Sequence, residues 1–207
     1  TRPFMFDAQG RVRWYVLLDD FGNWVAPFEP LSNGNFVCGH GEDVYELDRL
    51  GRVVNQWNMD GYLQHHEVTE KPDGNLLVAV TKTGLDTNLD FIVELDRETG
   101  DILREWDLRQ VMDVDRYDLV VSARDWAHVN SISYDAIDDA LVISCRNQGV
   151  VKVSADNELI WILAPHKGWE AAGPNGEGFE TSDYLLTAVD AQETPYAQEM
   201  QLGAVAA

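Results

Sequence analysis

The segments DGNLLV at residues 73–78, DFIVELD at 90–96 and GDILREW at 100–106 decide the fold of this chain. Each is a short run of β-branched, aliphatic or aromatic residues bounded by Asp, Asn or Gly. Runs of this kind predict β-strands, and the bounding residues tolerate the positive φ angles of hairpin turns. The sequence therefore predicts consecutive antiparallel strands joined by tight turns.

The same three-part series recurs on both sides of this unit. The further copies are NGNFV, DVYELD and GRVVNQW at residues 33–37, 43–48 and 51–57, then DDALVI, GVVKV and NELIW at 138–143, 149–153 and 157–161, with a partial copy over 10–18. Units of roughly 40–50 residues, each a small sheet ending in Trp, are typical of propeller blades. We predict an all-β chain of about four β-propeller blades. A two-sheet β-sandwich is the alternative, which the repeat makes less favourable.

Four blades do not close a comfortable ring for sequences of this type, so more blades are expected. Residues 1–4 lack an initiator Met and a signal-peptide pattern, and a strand-like run follows closely at 10–15. We interpret residues 1–207 as one β-propeller segment of a larger protein, without its N-terminal and C-terminal parts.

The composition is that of a packed globular protein, and it excludes two classes of function. Hydrophobic residues make up 45% of the 207 positions, yet no stretch reaches the ~20 consecutive apolar residues of a membrane-spanning helix. The net charge of −21 excludes a general nucleic-acid-binding protein, because phosphate recognition needs clustered Lys and Arg. An acidic protein that handles an anionic ligand must make its site locally positive, which points to converging His and Arg residues.

Three local features complete the structural expectations. Cys38 and Cys145 lie far apart in apolar, strand-like runs without CxxC or zinc-type spacing, so buried free thiols are predicted. Residues 107–111 are compatible with a helical turn. Residues 173–178 have the composition of a loop.

Two of the five histidines occupy equivalent places in the repeat. His66 lies shortly before the turn at 73–75, and His128 lies at the matching point of the next unit. The strand before that turn is expected to be the innermost of its blade, and inner strands converge on the propeller axis. A lone His is usually a satisfied structural residue. That interpretation weakens for HHE at 65–67 and HVN at 128–130, because buried polar groups cost free energy unless they are paired.

Arg146 directly follows the apolar strand at 141–145, and its guanidinium is suited to an oxyanion. With His66, His128 and Asn130 it would form a pocket of donors that stabilises charge on a transferring sulfuryl or phosphoryl group. A metal site is the rival, because His, Asp and Glu are also metal ligands. However, no HxH or HExxH spacing occurs, and an Arg beside the histidines disfavours a cation. A GxxxxGK[ST] loop and a GxSxG elbow are also missing.

Four ordered motifs over roughly residues 30–190 resemble the bacterial arylsulfate sulfotransferases. They are the His-His pair before PDGN (65–75), DWAHVNSI (125–132), ISCRNQGVVKV (143–153) and WILAPHKGW (161–169). The resemblance implies a six-bladed propeller that moves a sulfuryl group from a phenolic sulfate ester to another phenol. It further implies a ping-pong route through a sulfated histidine, with no nucleotide sulfate donor or other cofactor. A periplasmic location and a homodimer are implied in the same way.

The resemblance also assigns site residues. Catalytic roles are implied for His66, His128 and Arg146, and substrate contacts for Asn130, with His65 as the second choice within the His-His pair. No metal is expected. The family's nucleophilic His follows the region that residues 185–190 match, so it is expected beyond Ala207.

His166, in a stretch where the family does not require His, is a poor substitute for that nucleophile, and the segment alone is predicted to be inactive. Two alternatives stay open: a non-catalytic propeller that binds anionic or aromatic ligands, and a metal-dependent, lactonase-like propeller hydrolase.

Overall fold

The computed structural model describes residues 3–17, 27–116, 124–176 and 178–186. Fourteen strands, one α-helix and one 3-10 helix lie in these ranges. In chain order the elements are β1 Phe4–Phe6, β2 Val12–Tyr15, β3 Phe28–Pro30, β4 Phe36–His40, β5 Asp43–Leu47, β6 Val53–Asn58, β7 Tyr62–Glu70, β8 Leu76–Lys82, β9 Phe91–Leu95, β10 Ile102–Asp107, α1 Leu108–Val111, β11 Val129–Asp135, β12 Ala140–Cys145, β13 Gly149–Ser154, β14 Leu159–Leu163 and the 3-10 helix Thr181–Tyr184.

The strands form three four-stranded antiparallel sheets and one two-stranded sheet, each a simple meander in chain order. The blades are β3–β6, β7–β10 and β11–β14, while β1 pairs only with β2. The predicted β-propeller is confirmed, as three complete blades preceded by a two-stranded sheet. The short helix α1 lies within the stretch predicted to hold a helical turn.

The central strands of each blade are apolar because both of their faces are covered. All five residues of β9 are buried, as are the first five of β8. Outer strands such as β6 are largely exposed. Two large apolar clusters fill the space between blades, one between the second and third blades and one between the first and second. No single sheet could bury these apolar faces alone, so the stacking of blades provides the core.

A tryptophan on the outer strand of one sheet is tied to the following sheet at every junction. The indole N–H of Trp14 donates to the Arg49 carbonyl at 2.7 Å, that of Trp57 to the Arg97 carbonyl at 3.1 Å, and that of Trp106 to the Ser154 carbonyl at 2.8 Å. The acceptor always lies at the junction between the third and fourth strands of the next blade. The Trp that ends each sequence unit is thus a repeated link between blades.

The third strand of every blade carries a buried charge, and we call Glu46, Glu94 and Lys152 the third-strand charges. Glu46 accepts hydrogen bonds from three Asn side chains and from Arg97. Glu94 accepts from Lys71 Nζ at 2.7 Å. In the last blade the charge is reversed, and the partners of the Lys are the carboxylates of Asp135 and Asp138.

Cys38 and Cys145 are free and buried, as predicted. Burial raises the pKa of the Cys38 thiol to about 12 and also raises that of Cys145. Both thiols are therefore protonated at neutral pH and pack as small apolar side chains.

Candidate functional site

The inner strands β7 and β11 are both irregular at their histidines. The pairing of β7 with β8 shifts between Gln64 and Val68, and His66 has a φ of 42°. The pairing of β11 with β12 shifts between Val129 and Ser131, and His128, directly before β11, has a φ of 56°. Positive φ is rare for residues other than Gly, and strain of this kind is concentrated at functional sites.

Close packing between the first two blades holds the irregular part of β7. Gly39 in β4 has no side chain, and a Cβ placed there would lie 2.2 Å from Oε1 of Gln64. The Gln64 N–H donates to the Gly41 carbonyl at 2.7 Å. The residue immediately before the His-His pair is therefore fixed by the neighbouring blade.

His66 and His128 meet across the boundary between the second and third blades. Their Nε2 atoms lie 2.9 Å apart, and their ring centroids are separated by 4.9 Å. His128 is buried and His66 half-buried. The structure thus brings together two residues separated by 62 positions in the sequence.

Asp125 connects this histidine pair to Arg146. Its Oδ1 lies 2.7 Å from Nδ1 of His128, and its Oδ2 accepts from Nη2 of Arg146 at 3.0 Å. We call Asp125, His66, His128 and Arg146, together with the neighbouring His65, the inner-strand cluster. A single carboxylate therefore contacts both His128 and Arg146.

The backbone around Asp125 is held by the turn that follows β12. The Arg146 N–H donates to the His128 carbonyl at 2.9 Å, and Asn147 Nδ2 donates to the Asp125 carbonyl at 2.7 Å. Gln148 Nε2 donates to the Trp126 carbonyl at 3.0 Å. In the RNQ sequence of this turn, the first residue supplies the Arg of the site. The Asn and Gln side chains bind the backbone of the facing segment.

The second blade supports the same segment from the other side. The Val129 N–H donates to the Leu89 carbonyl at 2.9 Å, and the Asn88 N–H donates to the Arg124 carbonyl at 2.8 Å. Between the inner strands, Thr69 Oγ1 donates to the Ile132 carbonyl at 3.3 Å.

The WILAPHKGW stretch at 161–169 supports the cluster through Arg116. The guanidinium carbon of Arg116 lies 4.3 Å from the centroid of the Trp169 ring. The indole N–H of Trp169 donates to the Pro165 carbonyl at 2.9 Å. Arg116 in turn donates to Gln148 Oε1 at 2.9 Å. This motif therefore acts on the cluster indirectly, through Gln148.

His65 lies beside His66, with its ring at an edge-on angle and 5.5 Å between centroids. Both ring nitrogens are shielded from solvent, and within the described residues neither makes a hydrogen bond of standard geometry. Burial, together with the nearby His66 and His128, lowers the pKa of His65 to about 3, although a weak interaction with the Val80 backbone opposes this. His65 is therefore neutral throughout the physiological range.

The pKa of His66 is also lowered, chiefly by burial and further by His128 and Arg146, while Asp125 opposes the shift. A neutral His66 can share a hydrogen bond with His128 at neutral pH, whereas two charged imidazoles would repel each other. Arg146, which is always charged, stands half-exposed at the edge of the cluster.

The last predicted site residue, Asn130, and the rejected nucleophile candidate, His166, lie outside this hydrogen-bonded group. Asn130 is exposed at the register shift of β11, and among the described residues no hydrogen bond joins its side chain to His66, His128 or Arg146. His166 is exposed, and its Nε2 lies 3.1 Å from the Leu186 carbonyl. The structure thus brings together His66, His128 and Arg146, with His65 beside them.

Sequence reasoning missed Asp125 as a member of the cluster. The signal was present, because Asp125 stands three residues before His128 within DWAHVNSI. Its importance depends on the facing turn at Arg146, which the local pattern of the segment does not reveal.

Comparison with known proteins identifies the family. The profile of the arylsulfotransferase (ASST) family matches residues 1–203. The chain belongs to the arylsulfotransferase family. It is 30% identical to the arylsulfate sulfotransferase AssT of Escherichia coli O6:H1 (strain CFT073) and 29% identical to that of Lelliottia amnigena, each over 250 aligned positions. The matches cover 93% of this chain but 40% of each relative, so the chain spans less than half of their length.

Solved structures support the fold alone. A Bacteroides caccae protein of unknown function, determined at 1.35 Å resolution, superposes with a TM-score of 0.54 at 14% identity, covering 78% of this arylsulfotransferase chain and 58% of the other. The described part of the family member has no helix long and apolar enough to cross a membrane. The same residues contain no group of three or more His, Cys, Asp or Glu side chains placed to hold a metal ion.

Proposed function

We propose that the protein to which this chain belongs transfers a sulfuryl group from a phenolic sulfate ester to another phenol. Family membership supports an aryl sulfotransferase. The observation that carries the assignment to this site is the 2.9 Å contact between His66 and His128 across two blades, linked through Asp125 to Arg146. The Arg146 guanidinium and the N–H of His66 are hydrogen-bond donors of the kind that a tetrahedral oxyanion requires.

The proposed reaction has two half-reactions. In the first, a histidine nitrogen attacks sulfur, the bond between sulfur and the aryl oxygen breaks, and the departing phenolate takes up a proton. In the second, the acceptor phenol loses its proton and attacks sulfur, and the nitrogen–sulfur bond breaks. We assign the nucleophile to a histidine outside these 207 residues, because His166 binds the Leu186 carbonyl away from the inner strands.

In this proposal the cluster residues hold the sulfate. Arg146 offers its unengaged guanidinium donors to sulfate oxygens, and His66 offers an Nε2–H that a bound sulfate would take over from His128, in a site partly removed from water. Asn130, exposed on β11, is assigned to a substrate contact and His65 to support of His66. Donors on Arg146 and His66 would hold the anion in a chain whose net charge is −21.

The test uses the full-length protein with 4-nitrophenyl sulfate as donor and phenol as acceptor. We expect turnover with the parallel initial-velocity lines of a ping-pong reaction. Replacement of His128 by Ala should abolish turnover, whereas H166A, at an exposed histidine, should retain it. The 207-residue segment alone should be inactive, since it lacks the assigned nucleophile.

Other outcomes would redirect the assignment. Turnover that survives in a variant lacking both His128 and Arg146 would contradict the proposed site. Loss of turnover in H166A alone would make His166 the nucleophile. Binding of 4-nitrophenyl sulfate by the full-length protein without turnover would favour a non-catalytic binding propeller.

The location and assembly of the protein rest on the family resemblance alone. We propose a periplasmic location and a homodimer. Fractionation of cells expressing the full-length protein and its sedimentation velocity would test the two statements separately.

A further inference from the structure

We propose that Asp125 is a positioning residue of this site, which fixes the tautomer of His128 and the orientation of Arg146 with one carboxylate. The inference rests on the proposed function, since it concerns the same oxyanion site. It starts from two contacts to different oxygens of the carboxylate, 2.7 Å to His128 Nδ1 and 3.0 Å to Arg146 Nη2.

The first contact determines which nitrogen of His128 carries the proton. An ionised carboxylate only accepts hydrogen bonds, so Nδ1 of His128 carries a proton, and in the neutral form of the ring it is the only one. Nε2 of His128 is then an acceptor, and the proton in its 2.9 Å contact with His66 belongs to Nε2 of His66. Asp125 thereby sets the direction of the hydrogen bond between the two histidines.

The second contact restrains a long, mobile side chain. The Arg146 side chain is about 50% exposed, and an unrestrained arginine loses considerable conformational entropy when it binds a ligand. Asp125 engages Nη2, and within the described part of the chain the Nε and Nη1 donors have no hydrogen-bond partner. The guanidinium is thus restrained while donors remain for an anion.

Backbone contacts that do not involve the carboxylate also hold Asp125. Asn147 Nδ2 binds the backbone carbonyl of Asp125 at 2.7 Å, and the adjacent Trp126 carbonyl is held by Gln148. A substitution of the side chain therefore leaves these backbone contacts available, and we expect D125N to fold.

A purely structural role predicts a different result. The pair of Asp125 and Arg146 is partly exposed, with 26% and 50% of the two side chains accessible. Pairs of this kind contribute little to stability. If the pair only joined two segments, its loss would lower the melting temperature slightly and leave the kinetics unchanged.

The kinetic test compares D125N with D135N in the full-length protein. We expect D125N to reduce kcat/KM for 4-nitrophenyl sulfate by about a hundredfold or more, since loss of an orienting Asp in a comparable His arrangement has large effects. Its melting temperature should change little. D135N removes a carboxylate that binds the buried Lys152 far along β11, so it should lower the melting temperature and retain kcat/KM. A less than threefold change in D125N would overturn the proposal.

A second measurement does not depend on turnover. Nitrogen-15 NMR of histidine-labelled full-length protein, with the His128 signals identified by their loss in H128Q, reports the tautomer directly. We expect a protonated Nδ1 in the wild type and loss of that preference in D125A. A wild-type ring protonated on Nε2 would overturn the inference even in an active enzyme. Absence of sulfuryl transfer with the expected tautomer would instead refute the proposed function and leave the role of Asp125 in place.

Discussion

The third-strand charges and the inner-strand cluster differ in how their buried charged and polar groups are paired. Glu46, Glu94 and Lys152 are each neutralised by opposite charge, drawn from their own blade or from the next one. The cluster instead contains three imidazoles, two of them with lowered pKa, and one carboxylate shared by His128 and Arg146. Internal neutralisation suits a structural role, whereas an incompletely matched set of donors suits a site that receives an anion.

The reversal of charge at Lys152 strengthens this distinction. Burial alone would raise the pKa of Glu46, yet hydrogen bonds from Arg97 and three Asn side chains lower it to about 2. In the third blade both the central residue and its partners change sign, because Lys152 faces Asp135 and Asp138. The position thus requires complementary charges more than it requires a particular residue.

The largest effect that we expect concerns Arg146. Replacement by Lys keeps the charge but removes the planar fork, so kcat for aryl sulfate turnover should fall about a hundredfold or more, roughly 2.7–4 kcal/mol in the barrier. Steady-state kinetics of R146K in the full-length protein, with R52K at a solvent-exposed pair as control, would measure it. A near-normal kcat with a lowered melting temperature would place Arg146 among the structural charges and break the comparison.

The next effect concerns Lys152. Replacement by Met leaves Asp135 and Asp138 without their cation in a site where the Lys side chain is only 3% exposed. We expect a loss of about 2–3 kcal/mol in the free energy of unfolding, below the range for fully buried pairs because Asp138 is partly exposed. Urea denaturation measures the loss, and kcat of the folded K152M enzyme should be retained. A large fall in kcat without destabilisation would contradict a structural role.

The sequence predicts the blades well because their signals are local. Turn residues and β-branched runs specify each hairpin, and a Trp ends each unit, as in β6 and β10. The convergence of His66 and His128 also follows from the repeat, since equivalent inner positions face the same axis. The reversal of charge could have been predicted too, by aligning VELD at 93–96 with VKVS at 151–154.

The missing parts depend on contacts between distant segments. Asp125 gains its role from the turn at Arg146, and the burial of His65 follows from an irregular β7 that breaks the alternation of side chains. Gly39 allows that irregularity by admitting Gln64, a contact between different blades. Neither a strand pattern nor a motif encodes such packing.

The smallest effect that we expect is a difference in the pH dependence of stability between two buried groups. The pKa of His65 falls to about 3 in the folded chain, so acidification below its usual value of about 6.5 protonates only the unfolded state and reduces stability. The pKa of Asp90 is raised to about 7, mainly by burial, with weak interactions with Thr87 and the Ala127 backbone opposing. Acidification therefore protonates folded Asp90 first and increases stability.

Between pH 7 and pH 5.5 the two groups change the free energy of unfolding in opposite directions. Linkage to their pKa values gives about 1 kcal/mol for each. Relative to the wild type, H65Q should gain stability on acidification over this interval, and D90N should lose it. Free energies of unfolding from urea titrations at the two pH values measure both, with H40Q as the control for loss of an exposed imidazole. If H65Q and D90N changed the slope in the same direction, His65 would not be the neutral, buried member of the cluster, and the contrast with the third-strand charges would lose its electrostatic basis.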